Sequence, residues 1–387
     1  MALNFNINNI MEYIKVASLQ ELPPGTNKIV KVRNAKVALI RQDNGKITAI
    51  GNACLHKGGP LGLGCVTKRE EGTFIACPWH GWEYNVETGK APEGYHDQQA
   101  VYEVKIEGDD ILVGDEPIVK AKKAQHELGI IEDLVNLRYQ TTPTSLNILA
   151  ISTTNMNEQL PRYSTSEAAL ENALQYAAEK YGASTKMLKL RELNFRACEG
   201  YYSQHINACT WPCSITEMDT NDGMTQVFRD MVLWADVVLL GTPIRWGNAS
   251  SLYYKMAERL NTIENQIAGH NRILIKNKVA SFIITGGQDN IQQVAGQLMC
   301  FFTGIGFTFP PFSYLGWSRG WTAEDMDKNV LLFKKSEYIK RNTEHIVDNC
   351  VETLAQTKQM DTSKINAPKP HKRDSMSADM ENPDMNF

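Results

Sequence analysis

Two loops that each carry one cysteine and one histidine constrain this chain more than any other feature of its sequence. The first, CLHKGGPLG, holds Cys54 and His56, and the second, CPWHGWEY, holds Cys77 and His80. Thiolate sulfur and imidazole nitrogen are donors with which proteins bind zinc and iron–sulfur clusters. The four side chains are therefore predicted to be the ligands of a metal centre.

Two kinds of centre use two cysteines and two histidines. One is a tetrahedral zinc site, but a zinc finger groups its cysteines in one pair and its histidines on a helix. The other is a 2Fe-2S cluster in which two cysteines hold one iron and two histidines the other, and the order of the ligands in these loops favours it. The flanking glycines and prolines suit tight loops whose amides reach cluster sulfurs: Gly58, Gly59, Pro60, Pro78 and Gly81. Zinc and a purely structural loop remain open alternatives.

Short strands separated by turns surround these loops. Apolar and polar residues alternate in KIVKVRNAKVALIRQ, KITAIGNAC, GTFIACP and VYEVKIEGDDILVG, and turn sequences such as Asp43-Asn44-Gly45 separate the runs. The pattern predicts a small antiparallel β domain. With its ligand loops near the middle, the stretch 12–116 resembles a Rieske ferredoxin, and the resemblance implies a Rieske 2Fe-2S domain over these residues.

The Rieske resemblance also carries an expectation about the reduction potential. High-potential relatives have an extra cysteine in each loop, joined in a disulfide, where this chain has Lys57 or Gly58 and Trp79. Trp82 stands where those proteins place a serine that hydrogen-bonds a cluster sulfur. Fewer hydrogen bonds to sulfur predict a potential in the lower half of the roughly −150 to +300 mV Rieske range. Tyr84 either donates to a cysteine sulfur or only packs the domain.

Composition excludes several classes of partner. The chain has 387 residues, enough for two or three domains, a net charge of −4 and a pI near 6.1, so no basic face points to nucleic acid or to an anionic membrane. Neither a leader sequence nor an apolar run of membrane-spanning length is recognisable. The protein is therefore expected to be soluble and cytoplasmic.

The periodicity changes after about residue 143. A lysine-rich linker over 117–145, predicted to be partly helical, ends in TTPTS, which marks a connection. Beyond it, buried strands and amphipathic helices alternate, which predicts an open α/β fold with a doubly wound parallel sheet. The predicted strands are 146–151, 186–190, 236–241 and 278–287, and the predicted helices are 166–181, 225–233, 250–267, 290–303 and 329–358. The stretch 359–387 lacks apolar periodicity and is predicted to be a disordered tail.

The loops after these strands carry the pattern of a flavin site. The strand 236–241 leads into PIRWGN and a helix with Lys255 and Arg259, and the next strand ends in Thr-Gly-Gly. This arrangement resembles the flavodoxin-like NAD(P)H-dependent FMN reductases, which implies an FMN-binding domain over 146–358. By that resemblance, the phosphate is expected on Ser152, Thr154, Ser164, Thr165 and Ser166, and the flavin ring against Pro243, Ile244, Arg245, Trp246, Gly247 and Asn248, with Thr285, Gly286, Gly287 and Gln288 at its other edge.

The phosphate loop and the ring loop each allow a plainer interpretation. Hydroxyls, Arg162 and the free amides of a helix start suit a phosphate, but Ser164 to Glu167 is also a capping box, and both roles can coexist. Arg245 and Trp246 are the candidate catalytic residues. The arginine would compensate flavin charge or meet a nicotinamide, and the tryptophan would stack on the ring. Alternatively, they are an exposed salt-bridging arginine and a tryptophan that caps the core.

A further group of cysteines, Cys198, Cys209 and Cys213, lies in RACEGYYSQHINACTWPC. Some members of the resembled reductase family hold a 4Fe-4S cluster at this place, but Tyr201 stands where a further ligand is expected. A cluster or metal site with help from His205, a disulfide or redox-active pair, and plain structural cysteines all remain open.

The two resemblances together predict a flavin-dependent oxidoreductase. Electrons would pass from NAD(P)H to FMN, then to the Rieske cluster, and on to an external one-electron acceptor, which is a redox partner protein or a small molecule. In one alternative, the Rieske domain receives electrons from a partner and FMN reduces an organic substrate such as a quinone. In another, the protein is a non-enzymatic electron carrier or redox sensor.

A self-contained ring-hydroxylating oxygenase is disfavoured. Such an enzyme needs mononuclear iron on two histidines and a carboxylate, and the remaining histidines do not form the spacing of that motif. Resemblance to the FMN reductases further implies a homo-oligomer with the flavin at a subunit interface.

Overall fold

A computed structural model describes residues 11–129, 145–157, 159–286, 290–318 and 323–359. The described residues fall into two compact units. The first comprises 11–127 together with 199–210, and the second comprises the other described residues from 128 onward. The boundary expected near residue 143 and the predicted disordered tail from 360 lie outside the described residues.

Antiparallel strands build the first unit. They are β1 (Tyr13–Ser18), β2 (Thr26–Val32), β3 (Ala35–Arg41), β4 (Ile47–Gly51), β5 (Cys65–Arg69), β6 (Gly72–Ala76), β7 (Glu83–Asn85), β8 (Val101–Glu107) and β9 (Asp110–Val119). One sheet has the order β1-β9-β8-β4-β3-β2, and a smaller sheet has the order β5-β6-β7. The predicted antiparallel β domain is confirmed.

Strand β3 shows why the run of apolar residues in KVALIR is buried on both sides. Side chains alternate across a strand, so Val37 and Leu39 join one core cluster while Ala38 and Ile40 join the other. The second of these clusters also contains Cys54 and Cys77. The sheet therefore holds the two cysteine side chains against a packed interior.

In the described part of the linker, residues 117–126 are not helical, whereas residues 127–129 are. Strand β9 continues to Val119, and Lys122 forms a bridge with Gln98. The paired amides at Gln98 and Lys122 bond each other's carbonyl oxygens at 2.8 and 2.7 Å. The bridge satisfies the backbone groups of Gln98 and Lys122 at the edge of the sheet.

The segment 199–210 also departs from the sequence-based division, because it belongs to the first unit. It follows Cys198 and precedes Trp211, both of which belong to the second unit. Two short 3-10 turns, Tyr201–Ser203 and Ile206–Cys209, shape it. Its sequence has no period of a strand or helix, so its place in the fold could not be predicted locally.

Parallel strands and flanking helices build the second unit. Its elements are β10 (Asn147–Ser152), α1 (Thr165–Tyr181), β11 (Ser184–Lys189), α2 (Ser214–Met218), α3 (Met224–Phe228), β12 (Val237–Pro243), α4 (Ser251–His270), β13 (Val279–Gly286), α5 (Ile291–Gly304), β14 (Tyr314–Ser318), α6 (Ala323–Lys335) and α7 (Glu337–Gln359). The strand order is β11-β10-β12-β13-β14, with every neighbouring pair parallel. This is the flavodoxin-like order, and the predicted doubly wound sheet is confirmed.

Helix α1 positions the loop that precedes it. The Ser164 side chain caps the helix by accepting a hydrogen bond from the Glu167 amide, and Gly182 ends it with a φ of 61°. One face of the helix packs in the same core cluster as strands β10 and β12, through Ala169, Leu170, Ala173, Leu174 and Ala177. This packing fixes the helix N-terminus at the carboxyl end of β10.

Several elements differ in detail from the sequence-based prediction, and the five-residue helix α2 was not predicted. The helix expected over 225–233 is α3 followed by a π-helical turn at Arg229–Trp234. Strand β14, absent from the prediction, has the sequence YLGWS, which is too short and too interrupted by glycine to be recognised. The closing helix is divided into α6 and α7 around Ser336, whose hydroxyl accepts a hydrogen bond from the Ile339 amide. Within the described ranges, no helix has the length and apolar character needed to cross a bilayer.

Candidate functional site

The two ligand loops share one backbone geometry. The Cys54 carbonyl accepts a hydrogen bond from the Gly58 amide at 2.7 Å, and the Cys77 carbonyl accepts one from the Gly81 amide at 2.9 Å. Both glycines have positive φ, 86° and 71°, a conformation that carries no steric penalty for glycine. The first loop follows β4 and the second joins β6 to β7, so each sheet presents one tight turn with one cysteine.

The thiols of Cys54 and Cys77 form a buried pair. Each residue is 2% exposed. The hydrogen bond between them, together with burial, raises the pKa of Cys54, and the same bond lowers the pKa of Cys77 to about 7. A Cβ at Gly59 would come within 2.5 Å of the Cys77 sulfur. Only glycine therefore lets the first loop approach the second thiol so closely.

His56 and His80 form the second pair. Their ring centroids lie 4.6 Å apart, and both side chains are buried. The His80 Nε2 atom lies 2.7 Å from the Ala208 carbonyl oxygen. A carbonyl only accepts, so Nε2 carries the proton and, in the neutral ring, Nδ1 keeps a lone pair. That Nδ1 atom is inaccessible to solvent, as expected of a metal-ligating nitrogen.

Tyr84 and Trp82 surround the ligands. The Tyr84 hydroxyl accepts a hydrogen bond from the Leu55 amide at 3.2 Å and lies 3.7 Å from the Cys54 sulfur. Burial raises the pKa of Tyr84, so the phenol stays protonated and its proton is available to the sulfur. The Trp82 ring stacks on His56 with centroids 4.5 Å apart. Donation by Tyr84, one of the two roles considered from the sequence, is thus the one the geometry supports.

The donor chemistry of these four residues fits a Rieske cluster. Paired sulfurs suit one iron and paired imidazoles the other, and the hydrogen bond from His80 Nε2 to the Ala208 carbonyl fixes the tautomer that a ligand needs. Cys54, His56, Cys77 and His80 would hold the cluster, which would supply one-electron transfer. Neither Cys54 nor Cys77 is in a disulfide, and the expected low potential stays a prediction.

A separate cavity of about 570 Å³ opens at the carboxyl ends of strands β10, β12 and β13, within the usual size range of small-molecule sites. Its lining combines the predicted phosphate loop, the predicted ring loop and the end of β13. The lining residues are Thr154, Asn155, Met156, Arg162, Tyr163, Ser164, Thr165, Ser166, Pro243, Ile244, Arg245, Thr285, Gly286, Val330 and Leu331.

Three hydroxyls form a compact group in this cavity. The Thr154 oxygen lies 3.0 Å from those of Ser164 and Ser166, which lie 3.2 Å from each other. Thr165 donates to the Thr285 hydroxyl at 2.9 Å and so joins the phosphate loop to the end of β13. The group stands at the N-terminus of α1, where backbone amides and the helix dipole favour an anion. These residues fit the phosphate of FMN.

Two arginines add positive charge to the cavity. Arg162 and Arg245 both line it. The pKa of Arg245 is lowered, first by burial and then by the nearby charge of Arg162. The two positive charges repel each other in this partly buried site, so an anionic ligand between them would be bound favourably. The cavity therefore has the size and charge for FMN, which would supply hydride-level redox chemistry.

Ser152 does not line the cavity. Its side chain is fully buried and donates to Glu167 at 2.7 Å, while its oxygen accepts from the Thr154 amide at 3.2 Å. Glu167 is in turn paired with Arg191. The structure thus places Ser152 beneath the phosphate loop, as a support for Thr154.

The ring loop divides into two parts. Pro243, Ile244 and Arg245 line the cavity, whereas Trp246 is 90% exposed and takes a φ of 50° at the tip of a tight turn. The turn is closed by reciprocal backbone hydrogen bonds between Arg245 and Asn248 at 2.7 and 2.9 Å. Trp246, Gly247 and Asn248 are therefore brought to the rim, and Gly287 and Gln288 lie outside the described residues.

Sequence reasoning did not select several residues of the lining. The phosphate loop contributes Asn155, Met156 and Tyr163. Their position next to Thr154 and Ser164 in the sequence could have indicated that they line the cavity. Val330 and Leu331 come from α6, and no local pattern connects that helix to the strand ends. Their apolar side chains suit the flavin ring system.

Cys213, from the further cysteine group, has a defined buried environment. Its sulfur accepts a hydrogen bond from Arg259 Nε at 3.4 Å. Arg259 also forms an ion pair with Asp222 and donates to the Arg196 carbonyl at 2.9 Å. The three alternatives given above for the whole cysteine group, a cluster or metal site, a disulfide or redox-active pair, and structural cysteines, stay predictions.

Known proteins resemble parts of this chain. Human apoptosis-inducing factor 3 is 33% identical over 100 residues, which are 25% of this chain and 16% of that protein, so the chain spans only a small part of that relative's length. The ferredoxin component of the alkene monooxygenase system of Xanthobacter autotrophicus is 29% identical over 114 residues, 30% of this chain and 90% of that protein. The 8-demethyl-8-aminoriboflavin-5'-phosphate synthase of Streptomyces davaonensis is 24% identical over 125 residues, 31% of this chain and 49% of that protein.

Two family models match the chain. The Rieske 2Fe-2S domain matches residues 12–112, and the NADPH-dependent FMN reductase matches residues 146–322. The first match decides between the zinc and iron–sulfur alternatives, and the second confirms the predicted flavin family. The chain is therefore a fusion of a Rieske 2Fe-2S domain with an NADPH-dependent FMN reductase domain, an oxidoreductase whose cofactors are a 2Fe-2S cluster and FMN.

Proposed function

We propose that the protein passes electrons between NAD(P)H and an external one-electron acceptor. FMN takes two electrons as hydride and releases them singly, whereas a 2Fe-2S cluster carries one at a time. One NAD(P)H would therefore reduce two equivalents of the acceptor and release one proton. The acceptor is a redox partner protein or a small molecule. The match to a ferredoxin component of a monooxygenase system supports a protein acceptor.

The observation that carries this proposal is the presence of both sets of binding residues in one chain. Cys54 and Cys77 are buried in one core cluster, and the Ala208 carbonyl holds the proton of a neutral His80 ring on Nε2. The three clustered hydroxyls at the start of α1 and the two arginines line one cavity, and their chemistry suits an anion. A two-electron carrier and a one-electron carrier in the same protein suit conversion between hydride and single electrons.

The residues of the cavity would have distinct tasks. Thr154, Ser164 and Ser166 would hold the phosphate, with Arg162 as the balancing cation. Arg245 would contact the flavin ring or the nicotinamide and compensate negative charge that develops during hydride transfer. Trp246, at the exposed rim, would close over the ring or over the nicotinamide when they bind.

Anaerobic rapid mixing with NADPH and, separately, NADH tests the proposal. Flavin absorbance should fall first and cluster absorbance second, and added one-electron acceptor should be reduced at two equivalents per nucleotide. The Cys77→Ser variant is the matched control, because it removes one cluster ligand and leaves every residue of the cavity. It should keep flavin reduction and lose the later phase.

Other outcomes would assign a different role. The flavin could stay oxidised with both nucleotides and yet be reduced by a cluster that has been reduced chemically. That result would mean that electrons flow from the cluster to FMN. In that case FMN would serve a small organic substrate such as a quinone. A protein that exchanges electrons with neither nucleotide nor substrate would be a carrier or redox sensor.

Assembly and location remain predictions. A homo-oligomer is supported by the exposed Trp246 beside the cavity, where a second copy of the chain would cover it. Sedimentation analysis should find an oligomer for the wild-type protein and a weaker one for Trp246→Ala. A monomer in both cases would contradict the prediction. A cytoplasmic location rests on the sequence alone.

A further inference from the structure

The segment 199–210 packs directly on the second ligand loop. Gln204 donates hydrogen bonds to the Pro78 and Trp79 carbonyl oxygens at 3.1 and 2.8 Å, when its amide is oriented to satisfy both. The His205 ring stacks on Trp79 with centroids 4.9 Å apart and planes 12° apart. These contacts join the segment to the backbone and side chain that lie just before His80.

The segment also covers the His80 ring itself. The Ala208 carbonyl oxygen accepts from His80 Nε2 at 2.7 Å, and the Tyr201 ring meets His80 edge to face at 4.5 Å. His80 is only 8% exposed as a result. The ring edge opposite the ligating nitrogen is therefore occupied by the protein's own chain.

Local geometry holds Ala208 in this position. His205 Nδ1 accepts a hydrogen bond from the Asn207 amide at 3.1 Å and so caps the short turn Ile206–Cys209. The Ala208 amide donates to the His205 carbonyl at 2.8 Å. His205 therefore anchors the segment to Trp79 and orients the turn that carries the Ala208 carbonyl.

The origin of the segment gives these contacts a functional meaning. Both of its flanks, Cys198 and Trp211, belong to the unit that contains the FMN cavity. A Rieske cluster exchanges electrons most readily where its ligands approach the surface, because tunnelling slows steeply with distance. Here the backbone that touches the His80 edge continues in sequence, in both directions, into the flavin-binding unit.

We infer that the segment 199–210 is a built-in cap of the cluster site, which occupies the His80 edge and closes it to external redox proteins. A protein that accepts electrons from the cluster must then dock elsewhere on the Rieske unit. The inference rests on the proposed function, in which such an external acceptor takes the electrons. Tyr201, Gln204 and His205 are positioning residues, since they hold Ala208 against His80.

The double variant Tyr201→Ala/His205→Ala tests the cap in the full-length protein loaded with both cofactors. Loss of two ring contacts should raise hydrogen exchange of the peptide 199–210 about 30-fold. After reduction of the cluster by dithionite, re-oxidation by cytochrome c should become about tenfold faster in the variant. Re-oxidation by ferricyanide should change little, because this small ion needs no docking surface.

Two matched variants control for non-specific effects. Tyr201→Phe keeps the ring that meets His80 and leaves the His205 cap in place, so it should behave like the wild-type protein. Tyr202→Ala removes the neighbouring tyrosine, which is 55% exposed, and should also leave both measurements unchanged. If the double alanine variant does not load iron, the single His205→Ala variant carries the same comparison with a smaller expected effect.

Equal hydrogen exchange, or equal re-oxidation by cytochrome c, in the double alanine variant and the wild-type protein would overturn the inference. Failure of NAD(P)H to reduce the flavin would instead reject the proposed function, because reduction of the cluster by dithionite does not require the nucleotide.

Discussion

At the scale of single residues, the atoms around the ligands decide how the cluster site works. His80 is a suitable ligand because a backbone carbonyl holds its proton on Nε2, and the Cys54 sulfur has a protonated phenol beside it. In the proposed cluster site, these contacts would set the orientation of the ligands and the charge on sulfur, and hence the potential. In the flavin cavity, Arg162 and Arg245 supply positive charge in the same local way.

Removing the phenol of Tyr84 should lower the reduction potential of the cluster. The hydroxyl in Tyr84→Phe is lost while the ring keeps its packing, and a hydrogen bond to sulfur stabilises the reduced, more negative state. The expected change is about 40 mV downward, measured by protein-film voltammetry. Tyr102→Phe, on strand β8 of the same unit, is the control. An unchanged potential in Tyr84→Phe would mean that the phenol only packs the core.

Arg162→Gln should separate phosphate binding from ring binding. If Arg162 pairs with the phosphate, the variant should bind FMN about tenfold more weakly and riboflavin, which lacks the phosphate, as well as the wild-type protein does. Fluorescence titration of the apoprotein measures both. Equal weakening of the two ligands would show that Arg162 acts on the ring instead.

Much of the site was predictable at this scale, for reasons that differ among residues. Cys54, His56, Cys77 and His80 follow from local spacing, because short loops keep sequence neighbours together. Ala208 could not be found, since it acts through a backbone carbonyl and lies far away in sequence. The interior position of the Ser152 hydroxyl depends on Glu167, a partner that a loop pattern does not specify.

At the scale of elements, the strand ends and helix starts define the flavin site. The parallel sheet follows from alternating periodicity, so its carboxyl edge was located from sequence. Strand β14 and the lining by α6 were not, because both depend on tertiary packing rather than on a strong local pattern. The start of α1 carries two roles at once: Ser164 caps the helix and contributes a hydroxyl to the cavity.

Two serine caps allow these roles to be separated. Ser164→Ala should destabilise the second unit by about 1 kcal/mol through loss of the cap and should also weaken FMN binding. Ser336→Ala is the matched control: its hydroxyl caps α7 by accepting from the Ile339 amide at 3.3 Å, and it does not line the cavity. It should lose stability but retain FMN affinity. Thermal unfolding of the apoprotein and FMN titration give the two quantities, and equal FMN affinity in both variants would contradict the phosphate role of Ser164.

At the scale of the whole molecule, each set of ligands lies within one unit. The described cavity lining belongs to the second unit, and the four proposed cluster ligands belong to the first. Loading of one cofactor should therefore not require the other. The fusion itself could be predicted from sequence because each half carries its own motif, whereas the assignment of 199–210 to the first unit is a property of the complete fold.

Cys54→Ser should remove the iron–sulfur cluster and leave FMN. The expected result is loss of about two irons per chain with flavin content unchanged, determined by iron analysis and by extraction of the flavin. Cys65→Ser is a control, because that cysteine is exposed and is not a ligand. Loss of FMN together with iron in Cys54→Ser would mean that the two units load cooperatively.

The discontinuous first unit has a consequence for the order of events during synthesis. A ribosome that has released the chain only as far as residue 127 has delivered all four ligands but not the carbonyl that fixes the His80 proton. That carbonyl arrives only after the first two strands and the first helix of the flavin-binding unit have been made. The iron–sulfur half of this protein is therefore expected to reach its final form only after much of the flavin half exists, and a gene truncated after residue 127 should yield a cluster whose His80 edge is open to water.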